Sequence, residues 1–419
     1  MSARLLQRHS SRESTHDLRR KSRLALPTLA QVTEVVLDAR DQTWQTGQAE
    51  LSFLNPQPPS KEGQLVSPVK RQTRNRRSVE VVALLLLTAT LVAYAAAPKW
   101  LIPHMRPSEK LAFFVFLGSV ATVYVTAAWM ICASIAARLG ARRQTVHPTS
   151  LRLRVAIFSL AGLGIACMAY GYFIEPYWPA VDHLRITSPK LLKATRPIRI
   201  VQLSDLHSDP KPRLEDSLPD LVAAEKPDLI VFTGDAANSP AGLPIFRRCL
   251  TRVARLAPTF AVRGNFDVLT WPKLDFFGGT GVQELDGDAV EIEISGVRLW
   301  IAGVALTHED RIDRTLAQIP SDAFTVFLYH TPDRIEEVAR YPVDLYLAGH
   351  THGGQVALPF YGALVVLSSY GKRFESGLHR VGGTWLYVNR GIGMEGFSAP
   401  RVRFCARPEI TVVELIPPR

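Results

Sequence analysis

Five times between residues 198 and 355 a short apolar run stops abruptly at side chains that bind metals. Residues 198–203 run into Ser204, Asp205, Leu206 and His207. Residues 229–233 run into Gly234 and Asp235, and 259–263 into Gly264, Asn265, Phe266 and Asp267. Residues 325–329 end at His330, and 345–348 at Gly349, His350, Thr351, His352, Gly353, Gly354 and Gln355. Runs of this length and composition read as buried strands. In open α/β sheets ligands bind beyond the carboxyl ends of strands, so five such ends can serve one crevice. Glycine precedes the ligand at three of them, where it lets the backbone turn tightly. Singly each residue has an ordinary reading: a lone histidine is commonly a core or surface residue, and an aspartate after a strand often caps a helix. Taken together and in order, they describe a site. Imidazole, carboxylate and amide oxygen in combination suit Mn, Fe, Zn or Co rather than Mg or Ca alone.

From residue 198 onward, further strand-like runs lie at 290–294, 298–305, 363–369, 384–389 and 409–416. Helical periodicity covers about 214–225, 243–256, 311–318 and 332–339. Strands alternating with helices, followed by a meander, predict an α/β domain with a mixed sheet.

The first half of the chain is built differently. Apolar residues make up 47% of the chain, and three long apolar segments, 79–97, 111–137 and 155–174, hold only one charged residue, Glu80. Each is near or above the roughly 20 residues that cross a hydrocarbon core, so three transmembrane helices are expected. Lys70, Arg71, Arg74, Arg76 and Arg77 precede the first segment, and Arg138, Arg142, Arg143, Arg152 and Arg154 separate the second from the third. The positive-inside rule then puts the N-terminus and the second loop in the cytoplasm and everything after about Tyr177 outside. Tyr172, Tyr177 and Trp178 suit the interface at that exit. Residues 1–77, rich in Ser, Arg, Gln and Pro, read as a disordered basic cytoplasmic tail with no secretory signal, apart from a short helical stretch at 26–37. The expected domains are therefore the tail 1–77, a membrane domain 78–178 and a catalytic domain 179–419.

The net charge of +11 does not point to nucleic acid. Residues 1–154 carry 22 Lys/Arg against 9 Asp/Glu, whereas residues 155–419 carry 27 against 29. The basic excess sits in the tail and membrane flanks, which excludes a nucleic-acid-binding face on the C-terminal half. The four cysteines, Cys132, Cys167, Cys249 and Cys405, have no CxxC spacing, so no thiolate zinc site is expected. One bridge, Cys249 to Cys405, stays open. Ser369 and Lys372 have acyl-enzyme spacing, a short pattern that recurs by chance.

The ordered motifs, from about residue 199 to 355, resemble those of the calcineurin-like metallophosphoesterases: D-x-H, GD, GN-H-D/E, a lone His, and GH-x-H. Asn389, Arg390, Gly391, Ile392 and Gly393, with Arg401, Val402 and Arg403 after them, resemble the membrane-tethered bacterial branch of that family. The resemblance implies a four-layer α/β/β/α sandwich, where strand counting alone gives only mixed α/β. It also implies two divalent metal ions, manganese favoured. Asp205, His207 and His352 would hold the first, Asn265, His330 and His350 the second, and Asp235 would bridge them, with a bridging hydroxide attacking phosphorus. The implied protein is a multi-pass component of the bacterial cytoplasmic membrane, its catalytic domain extracytoplasmic. The expected partner is the bilayer, and tethering to it suggests a phosphorylated substrate at or near it, such as a phospholipid, a lipid-linked diphosphate or a cell-envelope phosphate.

One position departs from the family pattern. Phe266 stands where a histidine normally helps bind phosphate and protonates the departing oxygen. A general acid typically contributes about 10²–10⁴-fold, and a phenyl ring has no proton to give. This predicts a preference for pyrophosphate bonds or activated esters over alkyl phosphates, unless Asp267 or Arg263 substitutes. Phe266 could instead stack on a base or an acyl chain. Two other readings remain: a UDP-2,3-diacylglucosamine-type lipid diphosphatase, whose cytosolic nucleotide sugar conflicts with the expected topology, and a metal-binding membrane scaffold or sensor whose catalysis has decayed.

Overall fold

In the computed structural model the chain is described over residues 106–139, 150–395 and 401–418, with 86, 89 and 90 besides. Contacts divide the chain into Met1–Val66 and Ser67–Arg419, and everything described belongs to the second unit. The expected tail, 1–77, lies outside the described residues, as does nearly all of the first apolar segment, 79–97.

Two helices, α1 (Pro107–Arg138) and α2 (Leu151–Phe173), are long and apolar enough to cross a membrane. Both are apolar on all sides, and large aliphatic and aromatic side chains stay exposed along them, among them Val115, Trp129, Leu163 and Phe173. That is the pattern of a lipid-facing helix rather than an amphipathic one. They pack side by side, the Tyr124 hydroxyl donating to the Ala161 carbonyl at 3.2 Å.

The rest of the chain forms two six-stranded mixed sheets. In the first, the order is β1 (Ala180–Thr187), β14 (Glu409–Ile416), β2 (Ile198–Leu203), β3 (Leu229–Phe232), β4 (Thr259–Ala261) and β5 (Gln283–Glu284). All pairs are parallel except β14 with β2, where Val412 faces Val201. In the second, the order is β12 (Gly377–Val381), β13 (Thr384–Val388), β9 (Leu345–Ala348), β8 (Phe324–Leu328), β7 (Val297–Gly303) and β6 (Asp288–Ile294). Here the central four are parallel and the two edges antiparallel.

The sheets face each other over a core that includes Ile200, Val231, Phe260, Ile301, Val326 and Leu347. On the outer face of the first sheet, Leu218 and Val222 of α3 (Leu218–Ala224) and Phe246 and Leu250 of α4 (Leu243–Val253) pack against Val201, Ile230 and Val412. On the outer face of the second, Ile312 and Leu316 of α5 (Ile312–Ala317) and Ile335 and Val338 of α6 (Ile335–Val338) pack against Phe327 and Tyr346. The layers run helix, sheet, sheet, helix, and the continuous apolar runs are the central strands, buried on both faces.

One expected strand does not form, and β1 is a strand that the sequence pattern does not predict. Residues 363–369 do not form a long strand; only Gly362–Ala363 (β11) pairs, antiparallel, with Ala357–Leu358 (β10). Beyond it the chain turns across the Gly354 turn, near the Val365 carbonyl, where no strand lies to receive its backbone. Conversely, β1 escapes the sequence pattern because it is an edge strand with only Ile186 buried, and Asp182, His183 and Arg185 interrupt the apolar residues that it packs inward, Leu184 and Ile186. All four cysteines are free, and the Cys249–Cys405 bridge does not form.

Gly234, at the end of β3, shows why the strand ends are glycine-rich. Its φ is +100°, and a Cβ there would lie 2.6 Å from the Gly264 nitrogen and 2.7 Å from Nδ1 of His330. Gly234→Ala combines left-handed strain with an unrelieved clash, together at least about 2 kcal/mol. The thermal midpoint of the detergent-solubilised protein should fall by more than about 4 °C; an unchanged midpoint would contradict the packing described.

Candidate metal centre

The loops after β2, β3, β4, β8 and β9 meet at one edge of the sandwich, and the side chains singled out in the sequence meet there. Asp205, His207 and His352 form one group and Asp235, His330 and His350 another, the ligand atoms within each lying within 4.8 Å of one another. Asn265 joins the second group, its Oδ1 3.0 Å from Nε2 of His330. Asp235 sits between the two: its Oδ2 is 3.4 Å from Nε2 of His207 and 3.3 Å from Nε2 of His330. Across the cluster, Oδ1 of Asp205 is 3.3 Å from Nε2 of His352 and 4.0 Å from Nε2 of His330.

The backbone is bent to make this possible. Asp205, His207, Asp235, His350 and His352 all have positive φ, between +41° and +72°. Left-handed conformations in non-glycine residues are uncommon and cost on the order of 1–3 kcal/mol each. Five of them in one cluster mark a place where geometry is held against local preference, the usual signature of a functional site.

The imidazoles are aimed by their second nitrogens. Nδ1 of His330 lies 2.7 Å from the Thr233 carbonyl, which only accepts, so Nδ1 carries the hydrogen and Nε2 presents its lone pair. Nδ1 of His207 donates to Oδ1 of Asn238 at 3.0 Å, and that amide is oriented by donating to the His207 carbonyl at 2.8 Å. Nε2 of His207 and of His352 are buried and make no hydrogen bond. Buried donor atoms that converge without bonding to one another fit cations better than they fit each other.

Charge in the pocket points the same way. Burial alone would raise the Asp235 carboxyl, but the adjacent His330 and His207 hold it well below the usual range. Burial opposes charge on His330, yet Asp235 and Asp205 push it up to about 10. Burial drives Asp205 up, against the pull of His330. Burial, with His330 close by, pushes His350 down to about 4, and His352 is held well below its ordinary value. Against burial, the same carboxylates raise His207 as well as His330, so the pocket calls for positive charge, which a cation on those ring nitrogens would supply in place of a proton.

Phe266, Asp267 and Arg263 turn inward. Phe266 is 5% exposed, too enclosed to stack on a base or acyl chain, and its ring stands edge-on to His207, centroids 5.1 Å apart. Asp267 accepts the backbone N–H groups of Asp235, Ala236 and Gly264 at 2.9–3.0 Å through both oxygens, and burial with Asp235 nearby raises its carboxyl to about 7. Arg263 is paired with Glu284 at 2.6 and 3.1 Å. These are the contacts of loop braces. His308 and Lys372 lie in ion pairs with Asp286 and Glu375.

Sequence reasoning missed Asn238 and assigned Arg403 no role. Asn238 lies three residues after Asp235, a spacing with no generic meaning. Arg403 is fully buried, donates to the carbonyls of Gly393, Ala406 and Arg390, and reaches 3.4 Å from Nδ1 of His352. A cavity of about 520 Å³ opens beside Asn265 and His350, walled by Thr331, Arg334, Glu309 and Ser369.

Comparison with known proteins agrees with this geometry. Residues 198–354 match the calcineurin-like phosphoesterase family. The chain is 34% identical over 277 residues to the metallophosphoesterase YkuE of Bacillus subtilis, covering 61% of this chain and 92% of that one. It is 30% identical over 257 residues to the phosphodiesterase YaeI of Escherichia coli, covering 59% and 92%. It is 24% identical over 338 residues to the UDP-2,3-diacylglucosamine pyrophosphatase LpxG of Chlamydia trachomatis, covering 64% and 98%. The chain therefore belongs to the calcineurin-like phosphoesterases, dinuclear metal enzymes that hydrolyse phosphoester bonds.

Proposed function

We propose that this protein is a membrane-anchored, dinuclear-metal phosphohydrolase of phosphoester or pyrophosphate bonds. The observation that carries the reading is Asp235, whose Oδ2 lies 3.4 Å from a nitrogen of one ligand group and 3.3 Å from a nitrogen of the other. Asp205, His207 and His352 would hold one cation, Asn265, His330 and His350 the second, with Asp235 shared; the donor set suits manganese, iron, zinc or cobalt, and the family resemblance favours manganese among them. Two divalent cations there would neutralise charge on the phosphoryl oxygens and acidify a water they share.

The chain's own residues set what that chemistry can be used for. The cavity beside Asn265 and His350 receives the group attached to the phosphate. Phe266 offers no proton to a departing oxygen, and Asp267 and Arg263 act as positioning residues through the contacts above. Substrates whose leaving group departs as a stable anion are therefore favoured. The relationship to LpxG supports a lipid diphosphate as the particular substrate.

The proposed organisation is a tail 1–77, a membrane domain 78–178 and a catalytic domain 179–419 in a bacterial cytoplasmic membrane. Arg138, Arg152 and Arg154 lie at the helix ends remote from the catalytic domain, which supports an extracytoplasmic domain.

An activity screen of the full chain in detergent tests this reading. Chelation should abolish hydrolysis of bis-p-nitrophenyl phosphate and manganese should restore it; no hydrolysis with any divalent metal would favour a decayed scaffold. Asn238→Ala should lower metal affinity about 10–100-fold, measured by manganese titration, and an unchanged affinity would contradict the role of His207. A nucleotide diphosphate conjugate should be turned over about 10²-fold or more faster than a dialkyl phosphate, and a dialkyl preference would overturn the reading of Phe266.

A further inference from the structure

The β10–β11 hairpin ends in Leu358, Pro359, Phe360 and Tyr361. Phe360 is fully exposed, at 111%, and has φ of +65°. A bulky residue in left-handed backbone at a hairpin tip is costly where glycine or asparagine would be free of strain. An exposed aromatic placed there at local cost calls for something that covers it.

The surroundings of the hairpin say what does. At its foot, the Ala357 N–H donates to the Phe404 carbonyl at 2.8 Å, and the Phe404 ring stands edge-on to Tyr170 in the last turn of α2, centroids 6.1 Å apart. Arg403 N–H donates to the Gly171 carbonyl at 2.9 Å, and Glu175, just beyond α2, accepts the N–H groups of Cys405 and Ala406 at 2.9 and 2.6 Å. On its other flank, Lys372 lies over the Tyr361 ring at 4.3 Å, and a Cβ on its neighbour Gly371 would lie 3.1 Å from Glu109, in the first turn of α1. The start of α1 and the end of α2 lie at the same end of the helix pair. The hairpin is thus held between the two helix ends at the level where they leave the apolar layer, beside exposed Tyr172, Tyr177 and Trp178.

We propose that Phe360 and Tyr361 enter the lipid interface and, with those aromatics, form one belt that lays the catalytic edge against the bilayer. This rests on the reading of α1 and α2 as membrane-spanning and on the proposed lipid-phosphate substrate, and deepens it by assigning the surface through which a lipid headgroup would meet the site. The tip stands about 10 Å from the foot of the hairpin, at about 3.3 Å per residue. The foot lies against the His352–Gly354 turn, where a Cβ on Gly354 would come 2.4 Å from that of Ala363. Insertion therefore brings His352, and the cluster it belongs to, to headgroup depth. A lipid phosphate would reach the site without leaving its leaflet.

The test uses the full chain in vesicles of phosphatidylethanolamine and phosphatidylglycerol, some with brominated acyl chains. Phe360→Trp adds one fluorophore; its emission, taken as the difference from the unaltered protein, should be blue-shifted and quenched by the brominated lipid. Emission typical of water, or shielded emission that brominated lipid does not quench, as a second protein copy would give, overturns the proposal. In parallel, Phe360→Ser should lower the ratio of activity on vesicle-borne lipid phosphate to activity on bis-p-nitrophenyl phosphate roughly tenfold, the loss of one buried aromatic. An unchanged ratio also counts against it. Quenching without hydrolysis of any phosphate would leave the tip's placement standing and remove the phosphohydrolase reading instead.

Discussion

The carboxylate of Asp235 is the constraint around which the domain is arranged. It is 1% exposed, its Oδ1 accepts the Phe266 N–H at 2.8 Å, and its Oδ2 lies among imidazole nitrogens. A buried carboxylate is tolerable only when compensated. Asp205 adds a second charge a few ångströms away. Two carboxylates and four imidazoles assembled with almost no solvent make a pocket stabilised by cations, and the left-handed backbone at five of the ligands is held by everything around it.

What holds them is the meeting of two sheets. Gln202, at the end of β2, donates to the Ala348 carbonyl at the end of β9 at 2.9 Å, and to Oγ1 of Thr233 at 3.0 Å. His330, after β8, bonds to Thr233, after β3, and the His350 N–H donates to both oxygens of Asp205 at 3.1 Å. Ligands from one sheet are thus positioned by backbone from the other, so neither half of the sandwich carries a site alone. Arg403 extends this rigidity outward. Burial pushes its guanidinium down to about 9, and carbonyl oxygens on three residues surround it, so it behaves as a buried post between the His352 turn and the end of α2. The two long apolar helices and the centre are parts of one packed unit, joined through the Arg403 and Glu175 contacts.

Much of this was legible in the sequence because the strongest signal in it, apolar runs broken by ligands, reports burial and chemistry at once. The central strands are buried on both faces and so read as uninterrupted apolar segments; β1 and β12, at sheet edges with alternating exposure, do not. Residues 363–369 have strand composition but no partner strand, which only the three-dimensional arrangement decides. All seven side chains expected as ligands gather at one edge, since each follows a strand whose end is fixed. The residues that orient them were not legible. Asn238 and Arg403 act through contacts 31 and 51 positions away in sequence, and no local spacing encodes that. Phe266 was recognisable as a departure, but its packing against the His207 ring, which gives the phenyl a structural use, required coordinates.

The central claim is that two cations share Asp235. Anomalous X-ray scattering from crystals of the manganese-loaded protein tests it directly. The account predicts two peaks about 3.5–4 Å apart, one bounded by Asp205, His207 and His352, the other by Asn265, His330 and His350, with Asp235 touching both. A single peak, or manganese bound elsewhere while this cluster stays without density, would contradict it.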